Sequence, residues 1–179
     1  MTANECITGR RSIRKFTGQP VPHETLEKVV EAASFAPSWK NTQITRYIAV
    51  EGAKKEALAD CTSLYPGNGN IMRQSPMVIA VTILKGRSGY ERDGSFSTPK
   101  GTGWQMFDAG IATQTFCLAA HEQGLGTVIM GLFDEKEATE LLNIPEDREL
   151  AALIAIGYPA ESPAAPKRKT VEELLSFES

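Results

Sequence analysis

Apolar positions along this chain change period several times, and each change marks an element. His23 to Ala36 carries Leu26, Val29, Val30 and Ala33 at helical spacing, and Pro37 stops the run. Ahead of it, Thr2-x-x-Glu5 has the form of a capping box and opens a short helix ending near Gly9. Tyr47 to Val50 predicts a short strand, and Ala53 to Leu64 a helix. Met77 to Leu84 is a continuous apolar run rich in β-branched residues, the pattern of a buried strand. Trp104 to Gln123 is the longest helical stretch. Phe107, Ile111, Thr115, Leu118 and Ala119 form its apolar stripe, and Gly124 closes it. Thr127 to Met130 reads as a strand, and Asp134-x-x-Glu137 opens another helix. Leu150 to Ile156 is a strand ending at Gly157-Tyr158-Pro159, and Thr170-x-x-Glu173 caps a C-terminal helix.

Lys85 to Gly103 is rich in Gly, Ser and charge, and predicts a long loop of the kind that is functional or mobile. Pro159 to Pro166 is a Pro/Ala-rich surface connection. Helices alternating with buried strands predict an α/β or α+β arrangement around one sheet. No repeat or composition shift divides the chain, so residues 1–179 are expected to form a single domain.

Composition narrows the function classes. With 41% hydrophobic residues in 179, the chain can bury a real core. A net charge of −3 argues against general nucleic-acid binding, which usually shows a basic face. No stretch approaches the roughly 18 apolar residues of a membrane span. The N-terminus lacks the layout of a signal peptide, so the cytoplasm is the expected compartment. Cys6, Cys61 and Cys117 are odd in number and far apart, which predicts neither a disulfide framework nor a metal site. Cys117 reads as a buried thiol. His121 falls in the last turn of its helix, where a partial positive charge is favourable, and both it and His23 read as structural or surface residues.

Against that acidic background, Arg10-Arg11-Ser12-Ile13-Arg14-Lys15-Phe16 packs four cations into six positions. In extended backbone Arg10, Ser12 and Arg14 point the same way and can converge on one anion, which Arg suits through its planar fork. The alternative is a solvated basic stretch. Lys167-Arg168-Lys169 is a second cluster, placed before a helix start where cations are disfavoured unless an anion accompanies them. It reads either as a solvated run or as the other half of one anion site. Ala36-Pro37-Ser38-Trp39-Lys40-Asn41-Thr42-Gln43 is an ordinary turn or a set of amides able to read the edge of a heterocycle. Gly124-Leu125-Gly126-Thr127 closes a helix and opens a strand, the reverse of a dinucleotide-binding turn. With no Ser-His-Asp set or metal constellation in view, any chemistry would rest on a cofactor.

These pieces, in this order, resemble the nitroreductase family of FMN-dependent oxidoreductases. The resemblance runs from Arg10–Phe16 through Ala36-Pro37-Ser38 and Asn41-x-Gln43. It continues with Trp104, Asp108 and Gly124-Leu125-Gly126-Thr127, then Gly131-Leu132-Phe133-Asp134 and Ile156-Gly157-Tyr158-Pro159. It ends with Arg168 ahead of Val171-Glu172-Glu173-Leu174. It implies an α+β nitroreductase-like FMN-binding fold, a central, mostly antiparallel sheet flanked by helices, and an intertwined homodimer with FMN at the subunit interface. Arg10, Arg11 and Ser12, with Arg168 and Lys167, would hold the FMN phosphate. Arg14 would sit near the flavin N1–C2 carbonyl edge, where reduced flavin accumulates negative charge. Pro37, Ser38 and Asn41 would approach from the partner chain, and the backbone at Gly131 and Leu132 would lie against flavin N5. Asn70 is a candidate for the flavin edge.

The implied activity is ping-pong hydride transfer from NAD(P)H through FMN to a small electron-poor acceptor, a nitroaromatic or a quinone. No side chain is assigned the reaction itself, no metal is implied, and neither nucleic acid nor membrane is an expected partner. Other flavin reactions of this fold (flavin fragmentation, dehalogenation, azoline oxidation) or a non-catalytic flavin-binding protein are the alternatives. The chain departs from the family pattern at Ile44, where many members have Pro, and at Trp39, where a small residue is common. Lys85–Gly103 has no clear counterpart and is where acceptor choice is expected to be decided.

Overall fold

The computed structural model describes residues 1–63 and 65–178. The elements run α1 (Ala3–Gly9), α2 (His23–Ala33), a 3-10 turn (Trp39–Asn41), β1 (Thr45–Val50), α3 (Gly52–Asp60) and α4 (Pro66–Gln74). There follow β2 (Met77–Leu84), α5 (Gly103–Glu122), β3 (Gly126–Met130), α6 (Glu135–Leu142), β4 (Arg148–Gly157) and α7 (Val171–Leu174). The four strands form one antiparallel sheet in the order β1-β2-β4-β3, an α+β arrangement.

β2 is central, and its alternate side chains enter two different cores. Val78 and Ala80 pack with Leu58, Met72, Ala138 and Leu142 from α3, α4 and α6. Met77, Ile79 and Val81 pack with Val29, Ala33, Phe116 and Ala120 from α2 and α5. Burial on both faces explains why this strand reads as an unbroken apolar run.

Capping sets several boundaries. Thr2 with Glu5 and Thr170 with Glu173 make both reciprocal bonds of the capping box, and the Asp134 carboxylate accepts the Glu137 N–H. α2 ends at Ala33 rather than Ala36. Pro37 disfavours helical backbone in the residue before it, and Ser34 bonds its hydroxyl back to the Glu31 carbonyl. α3 ends at Asp60, short of the expected Leu64, which lies outside the described residues. α4 was not expected at all. It starts with Pro66 at its first position, where the missing N–H costs nothing, and buries Met72.

Of the stripe expected to bury α5 only Ala119 is buried, and the rest is corrected. Ala109, Ala112, Phe116 and Ala120 face inward with Gln105, Asp108 and Thr113. Phe107 is 59% exposed, and Ile111, Thr115 and Leu118 are only half-buried. Residues 85–102 form the expected loop, tightened by an isolated bridge between Tyr90 and Phe96.

Candidate functional site

The basic run lies extended across one end of the sheet. Ser12 bridges to Thr127 at the start of β3, the Ile13 N–H donates to the Thr127 carbonyl at 2.9 Å, and Phe16 bridges to Pro159 just past β4. The Thr17 N–H donates to Tyr158 and the Ala160 N–H donates back to Lys15, at 3.0 and 2.9 Å. Ile13 and Phe16 are buried, while Arg10 and Ser12 are half-buried and Arg14 is exposed. Stitching the run to the chain after β4 brings the two ends of the sequence together.

The result is a cavity of about 420 Å³ lined by Arg10, Arg11, Ser12, Arg14 and Arg168 with Pro163, Ala164 and Pro166. No carboxylate belongs to the lining, and none of these four guanidinium groups has an acidic partner within ion-pair distance among the described residues. Like charges so placed repel, and a dianionic phosphate would offset that repulsion. The residues present therefore fit the phosphate end of FMN. Two of the arginines also serve the local backbone. Arg11 donates to the Thr8 and Arg10 carbonyls at 2.6 and 2.9 Å, closing the C-terminus of α1, and Arg14 Nη1 donates to the Ser12 carbonyl at 3.4 Å. Glu161 accepts the Arg14 backbone N–H at 2.7 Å and holds this strand-like segment in place. Lys167 is exposed and outside the lining.

His121 lines a neighbouring pocket together with Gly9, Arg11 and Ile13. Burial, with the cations of Arg10 and Arg11 adding to it, moves its imidazole below the usual histidine range. That corrects the expectation that a positive charge is favoured there, because burial, and after it the local cations, outweigh the helix C-terminus. Burial pushes the thiols of Cys6, Cys61 and Cys117 up, so none is poised as a thiolate. No group of three His, Cys, Asp or Glu residues is placed to hold a metal among the described residues.

Pro37 and Ser38 lie elsewhere in the single chain. They border a second cavity of about 350 Å³ between α2, β1 and α5, with Val30, Tyr47 and Asp108 also in its wall. Asn41 follows in a turn of unusual backbone. Lys40, Asn41 and Gln43 have φ of 45°, 56° and 47°, the left-handed region that costs a non-glycine residue about 1–2 kcal/mol. The Trp39 N–H donates to both carboxylate oxygens of Asp108, at 3.1 and 3.0 Å, and the Gln43 N–H donates to Ser38 Oγ at 2.9 Å. Trp39 packs on Trp104 with ring centroids 4.7 Å apart, and Lys40 pairs with Glu91 of the 85–102 loop at 3.1 Å. The Asp108 contact joins residues 69 apart, and no local signal in the sequence announces it.

Gly131 and Leu132 follow β3 and are exposed. The Leu132 carbonyl accepts Asn68 Nδ2 at 3.0 Å, so α4 reaches this backbone through Asn68. Asn70 is exposed, and no hydrogen bond from its side chain to these residues is present. Within one chain, then, the arginine cavity, the 37–41 turn and the 131–132 backbone are three separate surfaces.

The described helices include none long and apolar enough to cross a membrane. The family description "Nitroreductase family" matches residues 7–64 and 62–158 of the chain. The FMN reductase [NAD(P)H] of Bacillus subtilis is 32% identical over 171 residues, 90% of this chain and 68% of that protein. The 5,6-dimethylbenzimidazole synthase of Rhodospirillum rubrum is 25% identical over 176 residues, 88% of this chain and 82% of that one. A crystal structure from Desulfovibrio desulfuricans, solved in complex with FMN, superposes with a TM-score of 0.78 at 29% identity, covering 98% of this chain and 96% of the other. Sheet order, the stitched basic run and these likenesses converge, and the chain belongs to the nitroreductase family.

Proposed function

We propose that this chain is an FMN-dependent oxidoreductase that passes hydride from NAD(P)H to a small electron-poor acceptor of the nitroaromatic or quinone type, in two alternating half-reactions. The observation that carries the reading is the cavity where Arg10, Arg11, Ser12, Arg14 and Arg168 meet without a carboxylate. Bound FMN would supply hydride acceptance and donation at its N5. The protein's part is to bind and to bias. Arg10, Arg11, Ser12 and Arg168 hold the phosphate by charge-assisted hydrogen bonds, with Lys167 as a neighbouring cation. Arg14 places a fixed positive charge where negative charge builds on reduction, which favours the reduced state. Such a scheme asks for no histidine or thiol, in keeping with the neutral His121 and the protonated cysteines.

The site in this reading is completed by a second copy of the chain, whose Pro37, Ser38 and Asn41 cover the flavin beside the Gly131–Leu132 backbone. Two features support an intertwined dimer. Met106, Phe107 and Leu132 are large, apolar and exposed, surface that a second copy would cover. The tail also carries Val171, Leu174, Leu175 and Phe177 uncovered, Phe177 at 89% exposure, while the apolar cavity beside β1 is open at the sheet edge. Seating one protomer's tail in its partner's groove would bury both.

Titration of cofactor-free protein with FMN and with riboflavin tests the phosphate assignment. The reading expects FMN to bind about 100-fold more tightly, near 2.7 kcal/mol. Equal affinities would contradict it.

A further inference from the structure

Of the four non-glycine residues with left-handed backbone among the described residues, three fall in the short turn Lys40–Gln43. A turn in that state persists only when its surroundings over-determine it. The bonds within it all lead back to two residues. The Asn41 N–H donates to the Ser38 carbonyl at 3.0 Å, the Thr42 N–H to the Trp39 carbonyl at 2.8 Å and the Gln43 N–H to Ser38 Oγ at 2.9 Å. What fixes Ser38 and Trp39 therefore fixes the start of the turn, and their outside anchor is Asp108, while Arg46 Nη1 holds the far end by donating to the Gln43 carbonyl at 2.7 Å.

Asp108 is 3% exposed, and its two oxygens share a single donor, the Trp39 N–H. No cation pairs with it among the described residues. A buried carboxylate with one N–H partner is costly to keep in a core position. It lies on the inward face of α5 beside Ala109 and Ala112, where an apolar residue would pack without that cost. Its carboxylate takes up the first N–H of the 3-10 turn, a donor that the turn itself leaves without an acceptor.

We propose that Asp108 is a positioning residue for the cofactor site: by pinning the Trp39 N–H it holds the strained 38–43 turn in the shape that presents Ser38 and Asn41 to the flavin. This rests on the FMN reading above. Asp108 touches neither cofactor nor acceptor and acts through the turn. The turn's aromatic and ionic contacts, Trp39 on Trp104 and Lys40 to Glu91, steady its outer face but leave the backbone N–H to Asp108 alone.

Asp108→Ala and Asp108→Ser, the latter with a hydroxyl too short to reach Trp39, remove the anchor. The backbone amides of Asn41–Gln43 should then exchange with solvent about tenfold faster or more, while those of β2 stay protected. FMN should bind about tenfold more weakly. Lys40→Gly relieves the left-handed strain at position 40 while giving up the exposed Lys40–Glu91 pair, and combined with Asp108→Ala it should recover at least about threefold of the lost FMN affinity. Unchanged amide exchange in both Asp108 variants would overturn the anchoring. Faster exchange with unchanged FMN affinity would overturn the link to the cofactor, as would a loss that Lys40→Gly fails to rescue. Parent protein that binds no FMN is a distinct result, which removes the FMN reading and this proposal with it.

Discussion

Gly126 and Ile13 approach so closely that no side chain fits between them: a Cβ on Gly126 would lie 2.6 Å from Ile13 Cγ1 and 2.7 Å from its Cβ. Gly126 pairs with Gly157 across β3 and β4, and a Cβ on Gly157 would in turn meet Pro76 at 2.5 Å and Phe16 at 3.0 Å. The two glycines make a shallow bed for Ile13 and Phe16, the inward residues of the basic run. In Gly124-Leu125-Gly126-Thr127, Gly126 thus serves close packing beneath the basic run, while Gly124, at φ 76° with open space around it, serves the left-handed turn that ends α5, and neither makes a nucleotide turn.

Gly126→Ala should accordingly lift Ile13 and loosen the run that carries Arg10, Ser12 and Arg14. The expected loss is about 1–3 kcal/mol of stability, the usual penalty for overpacking, with weaker FMN binding alongside. Urea denaturation and FMN titration of the one variant check both, and retention of full affinity would separate the glycine bed from the site.

Arg14 and Arg168 share a cavity but are assigned different ends of the cofactor. Arg14→Ala should lower the flavin reduction potential by about 30 mV, close to 1.4 kcal/mol for a two-electron couple, with modest loss of FMN. Arg168→Ala should weaken FMN by about 10- to 100-fold, the range of a hydrogen bond to a charged group, and leave the potential of the remaining bound flavin alone. Spectroelectrochemistry and equilibrium titration distinguish the two, and exchanged effects would reverse the assignment.

His121 reports on the same cavity from a neighbouring pocket. Its imidazole is held below the usual range by burial and then by Arg10 and Arg11, so the folded state takes up its proton less readily than the unfolded chain. Its contribution to stability is present above the ordinary histidine value and is lost as pH falls through its folded value. An anion between the arginines should weaken their repulsion and raise that value. NMR titration of His121, with His23→Gln removing the other imidazole, should show an upward shift on adding FMN. No shift would place the anion elsewhere.

Tyr47 gives a test at the other pH extreme. Burial pushes its phenol up to about 12, and the hydroxyl donates to the Ala112 carbonyl at 3.3 Å. The folded value lies above the unfolded one, so its contribution is complete below about pH 10 and disappears as pH rises toward 12. Stability measured against pH should fall across that window, and Tyr47→Phe should flatten the fall.

The sequence was legible where local chemistry decides. The two capping boxes and the strand Met77–Leu84 needed only neighbouring residues and an unbroken apolar run. α4 was hidden because Pro66-Gly67-Asn68-Gly69-Asn70 has poor helix propensity, and burial of Met72 against distant elements overrides it. On α5 the eye follows large apolar residues, yet apart from Phe116 the core side takes the small ones, Ala109, Ala112 and Ala120, and leaves Phe107 outward. Arg10 through Arg14 could be read as one extended anion-binding run, and their meeting with Arg168 depends on stitching that only the fold supplies. A turn at Ala36–Gln43 could be read and Asn41 suits positive φ, but the Asp108–Trp39 contact and the left-handed backbone at Lys40 and Gln43 had no sequence trace.

The proposed function requires this chain to hold FMN and pass hydride through it. Anaerobic addition of NADH, and separately of NADPH, to the FMN-loaded protein tests it most directly, with the yellow flavin band as readout. Rapid bleaching by at least one nucleotide is expected, with recovery of the colour when a quinone or nitroaromatic acceptor is added. Flavin that stays bound and oxidised with both nucleotides would contradict the proposed function.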